Sequence, residues 1–326
     1  MSTVTRADPA TPAGAARALS ERRPLGDRSF QILALACGLL VLVILVLIAV
    51  STTSQASSWF SAEGLKIFTN NWNPANNQFG ALAFIYGTAI TAVIALIMAV
   101  PVSIGIALLL TEVVSYRWSR PIVYVIDLLA VVPSVVWGLW GIIVFAPWIQ
   151  HIYASIGSGV NGVPVLGSLF GPPTSGASFF TAGIILAFMI TPIVTSLSRE
   201  VIATVPAIDR EGAYALGATR WEMIRGAVWP HSQGGIVGAV LLGLGRAMGE
   251  TIAVALVIGS SPAITSHLFA PGYNMPAVIA NQFGEAFGLF RAALMGIGVL
   301  LFVFTIIINV IAHTVVERSA RKKRGA

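Results

Sequence analysis

Arg246 and Glu250 stand four residues apart where two uncharged stretches, 226–245 and 251–284, meet. On a helix that spacing puts both side chains on one face. The planar guanidinium of an arginine fits phosphate or carboxylate oxygens in bidentate geometry. A neighbouring glutamate can hold the arginine between substrates, or accept a proton from a protonated oxyanion. Each such charge costs at least about 2.5–3.5 kcal/mol at the centre of a bilayer, so it faces a partner or an aqueous path. The competing expectation is that Arg246 and Glu250 pair with each other and only stabilise the protein. Asp127 is a third charged residue set among apolar ones, and a structural ion pair is its expected role.

Other chemistry is excluded by pattern. No His-Glu-x-x-His motif occurs, and His151, His231, His267 and His313 are far apart in the sequence. No serine lies in Gly-x-Ser-x-Gly, and the single Gly-x-Gly-x-x-Gly match, from Gly157 to Gly162, has no strand before it. A phosphate-cradling loop needs Gly-Lys followed by Ser or Thr. Lys66, Lys322 and Lys323 follow Leu65, Arg321 and Lys322, so any ATP that drives this protein is bound by another polypeptide.

The elements that must position these residues are set by composition. The 326 residues are 56% hydrophobic and 10% charged, against about 25% charged for a soluble domain. Spans of roughly 20 apolar residues fit the charge-poor stretches near 30–50, 81–110, 121–145, 179–197, 234–258 and 292–312, giving an all-α membrane protein of six helices. Pro101 is a candidate kink in the long second span. Sixteen of the 19 basic residues fall at the two ends or in alternate loops, which puts both termini in the cytoplasm. Residues 1–29 read as a disordered cytoplasmic segment, 30–313 as the membrane domain and 314–326 as a basic tail. The first apolar run is too long for a cleaved signal peptide. Cys37 has no partner for a disulfide. In the fifth span Gly234/Gly238 and Gly245/Gly249 recur at four-residue spacing, and small residues of this kind let helices pack closely in lipid.

The loop 199–232 carries a second pattern. Glu211-Gly212-Ala213 is followed after three residues by Gly217, and after nine more by Ala227-Val228-Trp229-Pro230. Gly217 between two short helical pieces allows a sharp turn. The segment resembles the coupling loop of permease subunits of bacterial ABC importers: Glu-Ala-Ala, three residues, Gly, nine residues, Ile-x-Leu-Pro. Gly212 replaces one Ala, and Ala227 and Trp229 replace the Ile and Leu. An amphipathic helix resting on lipid headgroups is the competing expectation, but it does not require the spacing from Glu211 through Gly217 to Pro230.

The segment from Gly243 to Val254, with Arg246, Glu250 and Thr251 at its centre, is similar to the fifth-span signature of phosphate ABC permeases. Of the two sister permeases in that family, Ile252-Ala253-Val254 favours the one without Ala-Pro-Leu at this point. The resemblance covers roughly residues 80–313 and implies a type I importer permease with a six-helix, MetI-like core. It also implies a sister permease, two copies of an ATPase that holds ATP and Mg, and an extracytoplasmic phosphate-binding protein. That binding protein is expected to dock on loops near 51–80, 146–178 and 259–291. Glu211, Gly212, Ala213, Gly217 and Pro230 would meet the ATPase, while Arg246, Glu250 and Thr251 would lie on the substrate pathway. No cofactor and no metal is expected on this chain. A permease for molybdate or sulfate, or a secondary anion transporter using Asp127 or Glu250 as a proton site, are the alternatives.

Overall fold

The computed structural model describes residues 25–160, 162–171 and 175–324. The expected disordered segment 1–29 lies mostly outside them, and helix begins by Leu25. The chain divides into two units, one ending at Ser54 and the other beginning at Gln55. The described part of the first lies in helix α1 (Leu25–Glu63). Between Ile32 and Val50 this helix is apolar all the way round, the composition of a helix surrounded by lipid or core.

The second unit holds α2 (Leu82–Leu108), α3 (Tyr116–Val131), α4 (Ser134–Trp140), α5 (Ala146–Val160), α6 (Pro164–Leu169) and α7 (Phe179–Ala203). After a loop with α8 (Ala207–Ala215) and α9 (Arg220–Met223) come α10 (Trp229–Gly249), α11 (Ile252–Val257), α12 (Met275–Gln282) and α13 (Gly288–Arg324). A short hairpin pairs β1 (Trp72–Asn73) with β2 (Gln78–Phe79). Five helices among the described residues are long and apolar enough to cross a membrane: Arg28–Phe68, Leu82–Val113, Ser134–Val160, Phe179–Ala203 and Gly288–Thr314.

Two of the expected spans are divided. Val132 and Pro133 are extended (ψ 123° and 140°) and separate α3 from α4, so the helix expected over 121–145 is broken near its middle. The cause is local: proline disfavours the helical conformation of the residue before it. From Ser134 the helix continues through a π turn at Gly141–Phe145 into α5. The expected 234–258 span is broken at Glu250–Thr251, between α10 and α11. Pro101 sits inside α2, which continues to Leu108. The basic tail expected from 314 has a helical backbone continuous with α13 through Arg324.

Helix α7 is the hub, packing against α2, α10 and α3. Its most apolar stretch is 67% buried, more than that of any other span-length helix among the described residues. Its first N–H groups, which no helix can satisfy internally, are answered by its flanking loops. The Ser178 hydroxyl accepts from Thr181 N, while Phe179 and Phe180 donate to the carbonyls of Ala270 and Leu268. The strap 258–273 is thereby tied across the helix start, and Phe269 stacks on Tyr153 beneath it with ring centroids 4.0 Å apart. At the same end of the unit, Trp59 is fully buried and donates from Nε1 to the Phe79 carbonyl at 3.1 Å. A Cβ at Gly296 would overlap that indole, so the close approach of α13 to Trp59 requires glycine.

Candidate functional site: an exposed loop and a broken helix

The loop after α7 is a helix–turn–helix fixed by two end motifs. Pro206 starts α8 with its φ already near the helical value (−58°). At the other end Gly217 takes φ +82°. Its N–H donates to Tyr214 O at 2.9 Å, and Ala218 N donates to Ala213 O at 3.1 Å. That pair of bonds is a Schellman motif, which consumes the last carbonyls of α8. Nothing lies within 4 Å of a Cβ built at Gly217. The glycine is therefore required by its left-handed backbone rather than by a close approach.

Thr219 then caps α9. The Glu222 carboxylate accepts from Thr219 N and Thr219 Oγ1, both at 2.8 Å, while Glu222 N donates to Thr219 Oγ1 at 3.4 Å. These bonds, the backbone one foremost, hold the Glu222 carboxyl below its usual pKa.

Ile208, Glu211, Gly212 and Ala215 share one face of α8, and all are exposed. Leu216 (91% exposed) and Trp221 (67%) add apolar surface beside them. Ala213 turns the other way, onto a buried cluster of Ala107, Ile202, Val205, Met223, Val228 and Ile236. Pro230 sits in the first turn of α10, where its missing N–H costs nothing. With Asp209, Ala227 and His231 it lines an open groove of about 650 Å³. The expected loop residues thus form one continuous structure, with Glu211 and Gly212 outward and Ala213 inward.

One residue of this loop was given no role of its own by sequence. Arg210 donates to Glu112 Oε1 at 2.9 Å, to Ile202 O at 3.0 Å and to Val205 O at 3.0 Å. The Glu112 side chain is only 6% exposed. It lies in a π turn, Leu109–Val113, at the end of α2. The available signal was that Glu112 closes the uncharged run 67–111.

The second site is the break after α10. Arg246 lies in the last turn of α10 and is exposed. A cation there is favoured by the helix dipole. Gly249 ends the helix, and Glu250 is extended (φ −69°, ψ 125°) and only 9% exposed. The hydroxyl of Thr251 donates back to Gly249 O at 3.2 Å.

This corrects two expectations. Glu250 lies beyond the helix end and does not share a helical face with Arg246. Nor do the two pair: among the described residues neither takes part in a side-chain hydrogen bond or an ion pair. Asp127 also departs from expectation: it accepts a hydrogen bond from Ser196 Oγ at 2.8 Å, joining α3 to α7, and among the described residues it has no cation partner.

The glycines of α10 divide by face. Cβ atoms at Gly235 and Gly243 would meet Val201 and Val194 of α7 at 2.5 and 2.7 Å. At Gly234, Gly238, Gly245 and Gly249 nothing lies within 4 Å. Packing within this chain therefore uses the glycines outside the four-residue pairs. The paired glycines form an open face, with Leu242 (62% exposed) among them and Arg246 at its edge.

Residues 99–325 match the family model described as binding-protein-dependent transport system inner membrane component. The chain is 42% identical over 325 residues to the phosphate transport system permease protein PstC of Xylella fastidiosa (strain Temecula1), covering 99% of each chain. It is 43% identical over 300 residues to PstC of Mesorhizobium japonicum, covering 91% of this chain and 92% of that one. It is 38% identical to PstC 2 of Mycobacterium tuberculosis over 298 residues, covering 89% and 91%. Among solved structures it is similar in fold to a bacterial alginate ABC transporter (TM-score 0.58, 14% identity, 92% of this chain and 99% of that chain). It also resembles the MetNI methionine ABC transporter (TM-score 0.51, 13% identity, 77% and 99%).

Proposed function

The chain belongs to the binding-protein-dependent transport system inner membrane components and, within them, to the PstC phosphate permeases, and we propose from this that it forms one half of the translocation pathway of an ATP-driven inorganic phosphate importer. It is a multi-pass membrane subunit and performs no bond chemistry itself. The observation that carries the phosphate reading is that its likeness to PstC permeases extends over essentially the whole chain.

A PstA-like permease completes the pathway, a pair of PstB-like ATPases binds ATP and Mg, and a PstS-like binding protein delivers phosphate from outside. Both termini and the loop bearing α8 lie in the cytoplasm of a bacterial inner membrane. The exposed face of α8, with Glu211 and Gly212 on it, docks on the ATPase, and Gly217 and Pro230 hold it in place. ATP binding closes the ATPase pair, α8 moves, and the pathway opens outward; hydrolysis returns it inward.

At the break in the fifth span Arg246 offers its fork to the anion. Glu250, buried and without a bonded partner among the described residues, regulates that contact, and Thr251 lies beside it. Broken helices supply such sites in other transporters because unwound backbone is tolerated where it lines a cavity. The test is competition: labelled phosphate uptake should fall on adding unlabelled phosphate and be unaffected by equal sulfate or molybdate. Inhibition by sulfate or molybdate equal to that by phosphate would refute the substrate. Uptake that survives ATP depletion and collapses with the proton gradient would refute the ATP-driven class.

A further inference from the structure

Resting on the coupling reading of α8, we infer that the Arg210–Glu112 ion pair is the strut by which α8 moves the transmembrane helices. The backbone of α8 lies against α9 and the π turn Ile224–Val228 that leads into α10. Its outward residues are exposed, and among the described residues Ala213 is the one apolar side chain of α8 packed against the buried cluster beneath the loop. Arg210 supplies the polar attachment to the other side, and it holds two helix ends at once. Two of its bonds reach the carbonyl of Ile202 in the last turn of α7 and that of Val205 just past its end. The third reaches Glu112, at the end of α2.

Helices α2 and α7 form the most extensive helix–helix interface of the second unit. A displacement of α8 is therefore passed to that pair together, rather than absorbed as a hinge after Ala203. The chemistry suits a rigid link. A guanidinium is a planar fork that loses little freedom for each bond it makes, and the carboxylate it meets is almost dehydrated, where a charge-assisted bond is strong. The π turn that carries Glu112 fits the same role, since such turns mark local departures from a regular helix at functional positions.

Arg210 is thus a positioning residue: it touches neither phosphate nor nucleotide. Its test is the ratio of phosphate imported to ATP hydrolysed, measured on intact complex reconstituted in vesicles with binding protein. Arg210→Ala should lower that ratio about tenfold while hydrolysis continues. Arg210→Lys, which keeps the charge but not the three-way fork, should fall between Ala and wild type. Glu112→Gln removes the charge at nearly constant shape, so it reports even if Arg210→Ala fails to assemble, and it too should lower the ratio. A structural role alone would reduce the amount of complex and leave the ratio of the surviving complex unchanged; that result in Glu112→Gln and Arg210→Lys would overturn the strut. Gly217→Val in the same assay separates the two ideas. If it uncouples while the Arg210 and Glu112 variants do not, the strut fails and the coupling loop stands. If none of the variants uncouples, the coupling reading itself fails.

Discussion

Arg246 and Glu250 are separated by the end of a helix: the arginine is exposed in the last turn of α10, and the glutamate, 9% exposed, is extended just past Gly249. A continuous helix would have stacked them as an ion pair. The break leaves each without a bonded partner among the described residues. An exposed arginine among apolar residues of a membrane protein meets something polar, and in the proposed pathway that partner is the phosphate anion.

The two glycine faces of α10 give opposite expectations. Gly243→Val places branched carbon against Val194, where a Cβ alone would already lie at 2.7 Å. Overpacking of this kind costs about 1–3 kcal/mol, so the yield of folded chain and its melting temperature in detergent should both fall. Gly245→Ala meets nothing within 4 Å and should leave both unchanged. Equal losses in the two variants would contradict the assignment of faces.

Gly217 should tolerate no side chain, because of its φ of +82°. Alanine in the left-handed region costs about 1–2 kcal/mol, and a β-branched residue costs more. Gly217→Val should leave the complex in the membrane and still hydrolysing ATP, with uptake per ATP reduced severalfold. Glu211→Lys, which reverses a charge on the exposed face of α8, should do the same through docking. Normal uptake in both would refute the coupling role.

The capping box at Thr219 predicts a pH dependence of known sign. The folded Glu222 carboxyl titrates below its unfolded value, so its contribution is fully present above about pH 4.3. It is lost as pH falls through the lowered folded pKa. Amide protection factors across 220–223 should therefore be flat from pH 7 to 5 and drop at more acid pH. Thr219→Ala should give low protection throughout and remove the step.

Reporter fusions test the orientation. A fusion after Ala326 should be active only in its cytoplasmic form, and one near Ser158 only in its external form. The reverse pattern would place α8 on the wrong side of the membrane for any ATPase.

Much of this arrangement could be read from residue types, and the failures have physical causes. Gly217 announced a turn because only glycine takes its backbone angles freely, and the turn is there. Pro133 carried the signal for the break between α3 and α4, but the predominant apolarity of 121–145 outweighed it. The break at Glu250 has no proline to announce it: Gly249, Glu250 and Thr251 are all permissible in a helix, and the end is set by tertiary context. Four-residue spacing identified glycines fit for close approach but could not say which face meets α7. Arg210 was hidden for another reason. In a basic loop its charge is sufficiently explained by orientation, and its partner Glu112 lies 98 residues earlier.

Anion passage in the proposed pathway rests on Arg246. The measurement is phosphate uptake divided by the amount of intact complex, for wild type, Arg246→Ala, Arg246→Lys and Glu250→Gln. Arg246→Ala should assemble and lose nearly all uptake. Arg246→Lys, with the charge but not the fork, should transport poorly, and Glu250→Gln should assemble but be impaired. Wild-type uptake per complex in Arg246→Ala would contradict the account, since the anion would then cross without the one exposed cation on the open face of α10.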